Sequence, residues 1–140
     1  GSLADCNTMT VSWGHFGVMW NLPTVWCHVR PSRHTFGFVE REPLFTLSFL
    51  RPESRKALEY CGSHSGRDGD KIAAAGLTLF EAEPGAPAFR EATIIAVCKK
   101  LYTHALDPDR FLDGRIAANY ASGDYHTMYL AELVRLLVRE

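Results

Sequence analysis

The feature that most constrains the fold is a side-chain alternation with a period of two, which returns along the chain. In residues 7–13 apolar side chains alternate with hydroxyl-bearing ones, and residues 24–30 alternate with valine and cysteine on one face. This period is typical of half-buried β-strands. Residues 44–50, 93–106 and 126–139 are rich in β-forming side chains and predict three further strands.

Short helices and turns are predicted between these strands. Three helices are expected, each beside a residue typical of a helix end: residues 35–41 after Ser32 as N-cap, residues 53–60 between Pro52 and Gly62, and residues 70–75 before Gly76. Turns are predicted at residues 21–23 and 83–87, and Gly14 and Gly17 are expected to loosen the chain after the first strand. The leucines of residues 126–139 also fit a helix face, so the type of that element stays open. Strands with few helices and no regular strand–helix–strand alternation predict a barrel or an α+β domain.

Composition narrows the class of protein further. A chain of 140 residues with 46% hydrophobic and 22% charged side chains fits one globular domain. The formal net charge of -1 gives no reason to expect nucleic acid or an anionic membrane as partner. No signal peptide is apparent, and four widely spaced cysteines predict buried thiols in a reducing cytoplasm, with no metal site: Cys6, Cys27, Cys61 and Cys98.

Two polar clusters could hold an anion. Residues 30–35 combine two arginines and two hydroxyls with a predicted helix start, and a phosphate is recognised by such groups. Residues 61–71 form a glycine-containing polar loop that ends near Lys71, which could reach an anion. A capped surface helix and a solvated loop are the alternatives, and a solvated strand face is the alternative for the hydroxyls of residues 7–13.

Aromatic side chains and one histidine could serve a planar ligand. Phe16 and the three tryptophans offer flat apolar surfaces near residues 7–13 and 30–35, although large aromatics are also ordinary core residues. His126 follows a glycine-containing loop at the start of the last strand, where it could orient a nicotinamide or relay a proton. A plain hydrogen-bonded histidine is the alternative.

Four segments together resemble the bacterial flavin-reductase-like family of FMN-binding split β-barrels: residues 7–14, 29–35, 58–68 and 123–126. The resemblance runs in order over nearly the whole chain. It implies a mainly β fold, a split β-barrel of Greek-key type with a few short helices, and a homodimer with FMN near the interface. It also implies reduction of bound flavin by NADH or NADPH, with electrons passing to an acceptor that could be a protein. An FMN-binding electron carrier without NAD(P)H activity and a non-flavin dimeric binding module are the alternatives.

The resemblance implies a set of site residues by position. His126 is the predicted catalytic residue. The predicted FMN-binding residues lie in three groups: Asn7, Thr8, Met9, Thr10, Ser12 and Trp13 in the opening segment, Arg30, Ser32, Arg33 and Thr35 at the phosphate, and Cys61, Ser63, Ser65, Gly66 and Lys71 in the third segment.

Two departures from the family pattern carry expectations of their own. Members of the family usually have a strand before the segment that resembles residues 7–14, and this chain has six residues there. We therefore expect that first strand to be missing, with an exposed barrel edge or a gap as the consequence. His15 stands where a smaller residue is expected, which predicts an altered surrounding of the flavin ring.

Overall fold

A five-stranded antiparallel sheet forms the body of the protein in the computed structural model, which describes residues 1–139. Seven strands and three α-helices follow in chain order: β1 Gly14–Met19, β2 Leu22–Val29, α1 His34–Arg41, β3 Leu44–Leu50, α2 Arg55–Ser63, α3 Lys71–Ala74, β4 Leu79–Glu83, β5 Ala86–Phe89, β6 Ala92–Ala105 and β7 Thr127–Val138. Three 3₁₀ turns add to them: Pro52–Ser54, Pro108–Arg110 and Gly114–Tyr120.

The large sheet curls into a barrel that is open on one side. Its strand order is β1-β2-β7-β6-β3, so β1 and β3 are its two edges. The rings of Phe16 on β1 and Phe49 on β3 nevertheless lie 6.0 Å apart, which requires the sheet to bend until its edges approach. No hydrogen-bonded ladder joins these edges within the described residues. The architecture is the predicted mainly β split barrel.

Both faces of the sheet are buried along its central strands. On one face, Ile95 and Val97 of β6 pack under the β4–β5 hairpin, whose alanines allow close approach. On the other face, Val25, Ala96 and Ala131 from three neighbouring strands form a second cluster. Complete burial of an aliphatic side chain such as Ile95 stabilises the fold by about 1.5–3 kcal/mol. The central strands of the barrel wall are therefore held by packing on both of their faces.

Most of the predicted strands are confirmed. The strand at residues 44–50 has the predicted bounds, and those predicted at 93–106 and 126–139 are β6 and β7. β7 pairs with both β2 and β6, which settles the strand over the helix alternative. Val25, Cys27 and Val29 are buried on one face of β2, as their alternation predicts.

The strand predicted over residues 7–13 is wrong. Residues 6–12 have no regular secondary structure and pair with no strand in the described chain. Side-chain bonds to the helices replace a ladder: Thr10 Oγ1 donates to the Leu58 carbonyl at 2.5 Å. Met9 and Val11 still pack against the core. The alternation in the sequence therefore predicts correctly which side chains are buried, but it does not predict whether the segment pairs with a strand.

The predicted chain breaks at the first hairpin are also wrong. Gly14 and Gly17 lie within β1, and the turn is formed by Trp20 and Asn21 instead of residues 21–23. Both turn residues have positive φ, of 54° and 59°, as a two-residue hairpin with the twist of its strands requires.

Three further local predictions need correction. Ser32 does not cap α1: Arg33 occupies the N-cap position, and the Ser32 hydroxyl donates to Asp124. Gly62 lies inside α2, which continues to Ser63. The turn predicted at residues 83–87 is the tip of the β4–β5 hairpin, whose strands the sequence pattern did not indicate.

Candidate functional site

Three predicted segments meet beside the barrel. The Asn7 side-chain amide donates to Thr35 Oγ1 at 2.8 Å, which ties the opening segment to the first turn of α1. Gly66, in the loop after α2, lies against the same asparagine, since a Cβ there would stand 2.2 Å from Asn7 Oδ1. Only glycine permits this approach without a shift of its neighbours.

Two cations converge on the C-terminal end of α2. Arg33 Nη2 donates to the Gly62 carbonyl at 3.0 Å, and Lys71 Nζ donates to the Cys61 and His64 carbonyls at 3.2 and 3.0 Å. Carbonyls of a last helical turn have no partner within the helix, so these bonds cap it. Lys71 is buried, with 5% of its surface exposed. A buried lysine is unusual without an anionic partner.

The charge of this pair is not balanced by the described residues. Neither Arg33 nor Lys71 forms an ion pair with a carboxylate within residues 1–139. The C-terminus of a helix supplies the equivalent of roughly half a negative charge, which leaves about 1.5 positive charges over. Burial, and then the positive charge of Arg33, lower the pKa of Lys71, while Cys61 opposes this. The cluster is therefore suited to an anion of about two charges, such as a phosphomonoester.

The loop after α2 is tied to the turn before α1, and the predicted residues of α2 bond within the helix or through their carbonyls. Arg67 Nη1 donates to the Ser32 carbonyl at 3.1 Å, and its backbone N–H donates to Ser65 Oγ at 3.2 Å. Ser63 Oγ donates to the Glu59 carbonyl within α2. The Cys61 thiol is buried, and burial raises its pKa, so Cys61 offers its carbonyl rather than a thiolate.

Arg30 and Ser32 point to a second cluster instead of the first. Arg30 Nη2 donates to the Asn119 carbonyl at 2.8 Å, and its guanidinium lies 5.2 Å from the centre of the Tyr120 ring. The Ser32 hydroxyl and backbone N–H both donate to Asp124. The segment at residues 30–35 is thus divided between two sites, with Arg33 and Thr35 at the first.

His126 lies at the centre of this second cluster. Its ring centre is 4.5 Å from that of Trp13 and 6.4 Å from that of His28, and its Nδ1 atom is 2.8 Å from the Tyr120 hydroxyl oxygen. Burial, Arg30 and His28 lower the pKa of His126, while Asp124 raises it. The imidazole is therefore neutral near pH 7, able to accept one hydrogen bond and donate another.

A cavity of about 470 Å³ borders the opening segment, a size within the range of small-molecule sites. Its walls include the remaining predicted residues Thr8, Met9 and Ser12, together with β1 and β3. Ser48 also lines it, and its buried hydroxyl has no hydrogen-bond partner in the described part of the chain. His15, predicted to alter the ring surroundings, lies on this wall with its ring 4.9 Å from Trp26.

The sequence pattern missed three residues that build the two clusters. Arg67, Tyr120 and Asp124 each bond to a predicted residue, yet none belongs to the predicted set. Asp124 directly follows the glycine of the 123–126 motif, which was a usable signal. Tyr120 lies on an irregular 3₁₀ turn that carries no periodic pattern.

Two absences concern the described residues alone. Across residues 1–139, no group of three or more histidine, cysteine or acidic side chains is arranged to hold a metal ion. No helix in that part of the chain is long and apolar enough to cross a membrane.

The curled antiparallel sheet defines a split-barrel protein, and the Arg33–Lys71 cluster at its side is suited to an anion. The family model described as flavin reductase like domain matches residues 3–140, and the chain belongs to that family. A search for similar sequences among curated proteins found no match.

Solved structures with the same fold include three informative relatives. An FMN-binding protein from Thermus thermophilus, with bound p-hydroxybenzaldehyde, is 23% identical with a TM-score of 0.75, and the match covers 96% of this chain and 65% of that one. Flavoredoxin from Methanosarcina acetivorans is 22% identical with a TM-score of 0.73, over 96% and 62% of the two chains. An NADH:FAD oxidoreductase from Streptomyces globisporus is 21% identical with a TM-score of 0.69, over 94% and 67%. The chain spans less than two thirds of the length of the first two relatives.

Proposed function

We propose that the protein binds FMN and acts as an oxidoreductase that reduces this flavin with NADH or NADPH. The observation that carries the proposal is the uncompensated Arg33–Lys71 pair at the end of α2, which matches the charge of the FMN phosphate. Family membership supports flavin as the ligand, and the NADH:FAD oxidoreductase with the same fold supports a nicotinamide as electron donor.

The residues present fit FMN by the chemistry of their donors. Arg33 and Lys71 would hold the phosphate, with the hydroxyl of Thr35 and the backbone around Gly66 beside them. The opening segment, through residues 8–12 and Trp13, would face the ring. When bound, FMN supplies the hydride-accepting and electron-passing chemistry of the reaction.

The second cluster is the proposed place of the nicotinamide. His126 is neutral and carries one N–H donor, so it can orient a carboxamide without adding charge. Trp13, with 42% of its surface exposed, offers a flat face next to it. Arg30 lies over the Tyr120 ring, close enough to His126 to act on its charge, and forms no ion pair in the described chain, which leaves it able to bind a phosphate of the dinucleotide.

An electron carrier without NAD(P)H activity is the second candidate, because flavoredoxins share the fold. One anaerobic experiment separates the two. The FMN-loaded protein is mixed with NADH and then NADPH, and the flavin absorbance is followed. Bleaching by either nucleotide supports the reductase. Bound FMN that dithionite reduces and neither nucleotide reduces would support the carrier, and failure to bind FMN would refute both.

We also propose that the protein works as a homodimer. The first hairpin exposes large apolar side chains: Phe16 by 52%, Val18 by 79% and Trp20 by 56%. Contiguous apolar surface of this kind is typical of interfaces. Light scattering after size exclusion should give about twice the chain mass of 15.7 kDa. A Val18→Lys variant should shift that mass toward the monomer, whereas a monomeric wild-type protein would contradict the proposal.

A further inference from the structure

Tyr120 is a buried tyrosine whose hydroxyl has a single side-chain partner. It ends the 3₁₀ turn Gly114–Tyr120, and 5% of its surface is exposed. Its ring packs against those of Tyr125, at 4.9 Å, and Phe111, at 5.8 Å, in a cluster of three rings. Its hydroxyl oxygen lies 2.8 Å from Nδ1 of His126. The packing therefore fixes the phenol in place against the imidazole.

The direction of this hydrogen bond follows from the donors available. Burial raises the pKa of Tyr120, although Arg30 and the backbone N–H of His126 lower it in part, so the phenol keeps its proton near pH 7. If Nδ1 carried the imidazole proton, the phenol hydrogen would have no acceptor within the described residues, and a buried donor without a partner is costly. The phenol therefore donates to Nδ1, and the single proton of the neutral imidazole lies on Nε2.

Burial, and then charged neighbours from the surrounding elements, lower the pKa of His126 and keep the imidazole neutral. Arg30, at the end of β2, and His28, within that strand, both disfavour a positive charge on His126. Asp124, in the loop before β7, favours that charge but is already engaged by Ser32. Trp13 contributes only an apolar face.

We propose that Tyr120 is a positioning residue, which holds His126 as the neutral tautomer protonated on Nε2 and so presents an N–H donor to the cosubstrate. The identity of that cosubstrate rests on the proposed reduction by NAD(P)H. The tautomer of His126 is argued from its contact with Tyr120 and does not depend on that proposal. Removal of Tyr120's hydroxyl leaves Nδ1 without its donor and allows the proton to move to either nitrogen.

The test is a ¹⁵N NMR measurement of the histidine side chains, with His126 assigned by comparison with His126→Gln. In the wild-type protein at pH 7, the account predicts an unprotonated Nδ1 and a protonated Nε2. A protonated Nδ1 would overturn the proposal, and this result needs no variant of Tyr120.

Two matched variants separate positioning from packing. Tyr120→Phe should shift the His126 tautomer ratio by about 2- to 12-fold toward the Nδ1-protonated form, as the net value of one hydrogen bond implies. It should also raise the pKa of His126, because a bond to the neutral ring is lost. Tyr125→Phe removes a hydroxyl from the adjoining ring and should change neither value. An equal change in both variants, or none in Tyr120→Phe, would overturn the proposal.

Kinetics then connects the tautomer to the reaction. In Tyr120→Phe, KM for the nicotinamide nucleotide should rise by up to the same 2- to 12-fold, with FMN affinity unchanged. If the tautomer ratio changes and KM does not, the claim that the His126 N–H group binds the cosubstrate is refuted. If the wild-type protein oxidised neither NADH nor NADPH, the proposed function would fail, while the NMR result would still decide whether Tyr120 sets the tautomer.

Discussion

Replacing Lys71 by methionine should weaken FMN binding while leaving the fold largely intact. Lys71 is buried and donates to the Cys61 and His64 carbonyls, so its charge is desolvated, and no carboxylate of residues 1–139 forms an ion pair with it. Methionine keeps the length and apolar character of the side chain and removes the ammonium. The substitution therefore tests the charge and changes little of the packing.

The magnitudes differ for binding and for folding. A charge-assisted hydrogen bond to phosphate is worth about 1.5–3 kcal/mol, so the dissociation constant of FMN should rise by about 13- to 160-fold. Folding loses two charge-assisted bonds to carbonyls, at about 1.5–3 kcal/mol each, but is relieved of a desolvated charge beside Arg33. These terms oppose each other, so the free energy of unfolding of the ligand-free protein should change much less than the binding free energy.

Fluorescence titrations with FMN and with riboflavin separate the charge from the ring. Riboflavin has no phosphate, so Lys71→Met should bind it as the wild-type protein does. Lys56→Met is the matched control, because it removes the same charge from an exposed position on α2. An equal loss of riboflavin affinity, or no loss of FMN affinity, would refute the charge argument.

Three further predictions follow from single positions. Gly66→Ala should lower the free energy of unfolding by about 1–3 kcal/mol and weaken FMN binding, because its Cβ would collide with Asn7. Gly37→Ala, on the exposed side of α1 with open space around it, should instead raise the free energy of unfolding by about 0.5–1 kcal/mol, and urea denaturation checks both. Burial lowers the pKa of His28 in the folded protein by more than the hydrogen bond to the Trp13 carbonyl raises it. The unfolded chain therefore binds more protons than the folded protein once the pH is below about 6.5. The free energy of unfolding should fall as the pH is lowered below that value. His28→Gln should flatten this pH dependence, whereas His104→Gln at an exposed position should not; an equal slope in wild type and His28→Gln would contradict the reasoning.

The strands of the barrel could be predicted from the sequence where side chains alternate with a period of two and the segment is also paired with neighbouring strands. β2 carries a clear alternation and is flanked by partners on both sides, so pattern and structure agree. Residues 7–13 carry an equally clear alternation but have helices as neighbours, and the pattern cannot distinguish a strand from an extended segment packed on the core. The β4–β5 hairpin was missed because its alanines, proline and glutamates have low β propensity.

The candidate site could be predicted at the level of segments and less well at the level of side chains. Arg33 and Lys71 lie together at the end of α2, and Thr35 contacts Asn7, because helix ends and glycines fix the backbone there. Arg30 turns away from them, because residues 30–33 form a tight turn, in which the Arg33 N–H donates to the Arg30 carbonyl, and the Asn119 carbonyl holds the Arg30 side chain on the other side. The contact of Tyr120 with His126 depends on an irregular turn, which no periodic signal could have indicated.

The most direct test of the central claim is a pH titration of protein-bound FMN followed by ³¹P NMR. Two cations that hold the phosphate favour its dianion, so the second phosphate pKa, about 6 for a free phosphomonoester, should fall clearly below that value in the complex. Arg33→Met should move it back toward the free value. A bound phosphate that titrates as free FMN does would contradict the claim that the Arg33–Lys71 pair holds it.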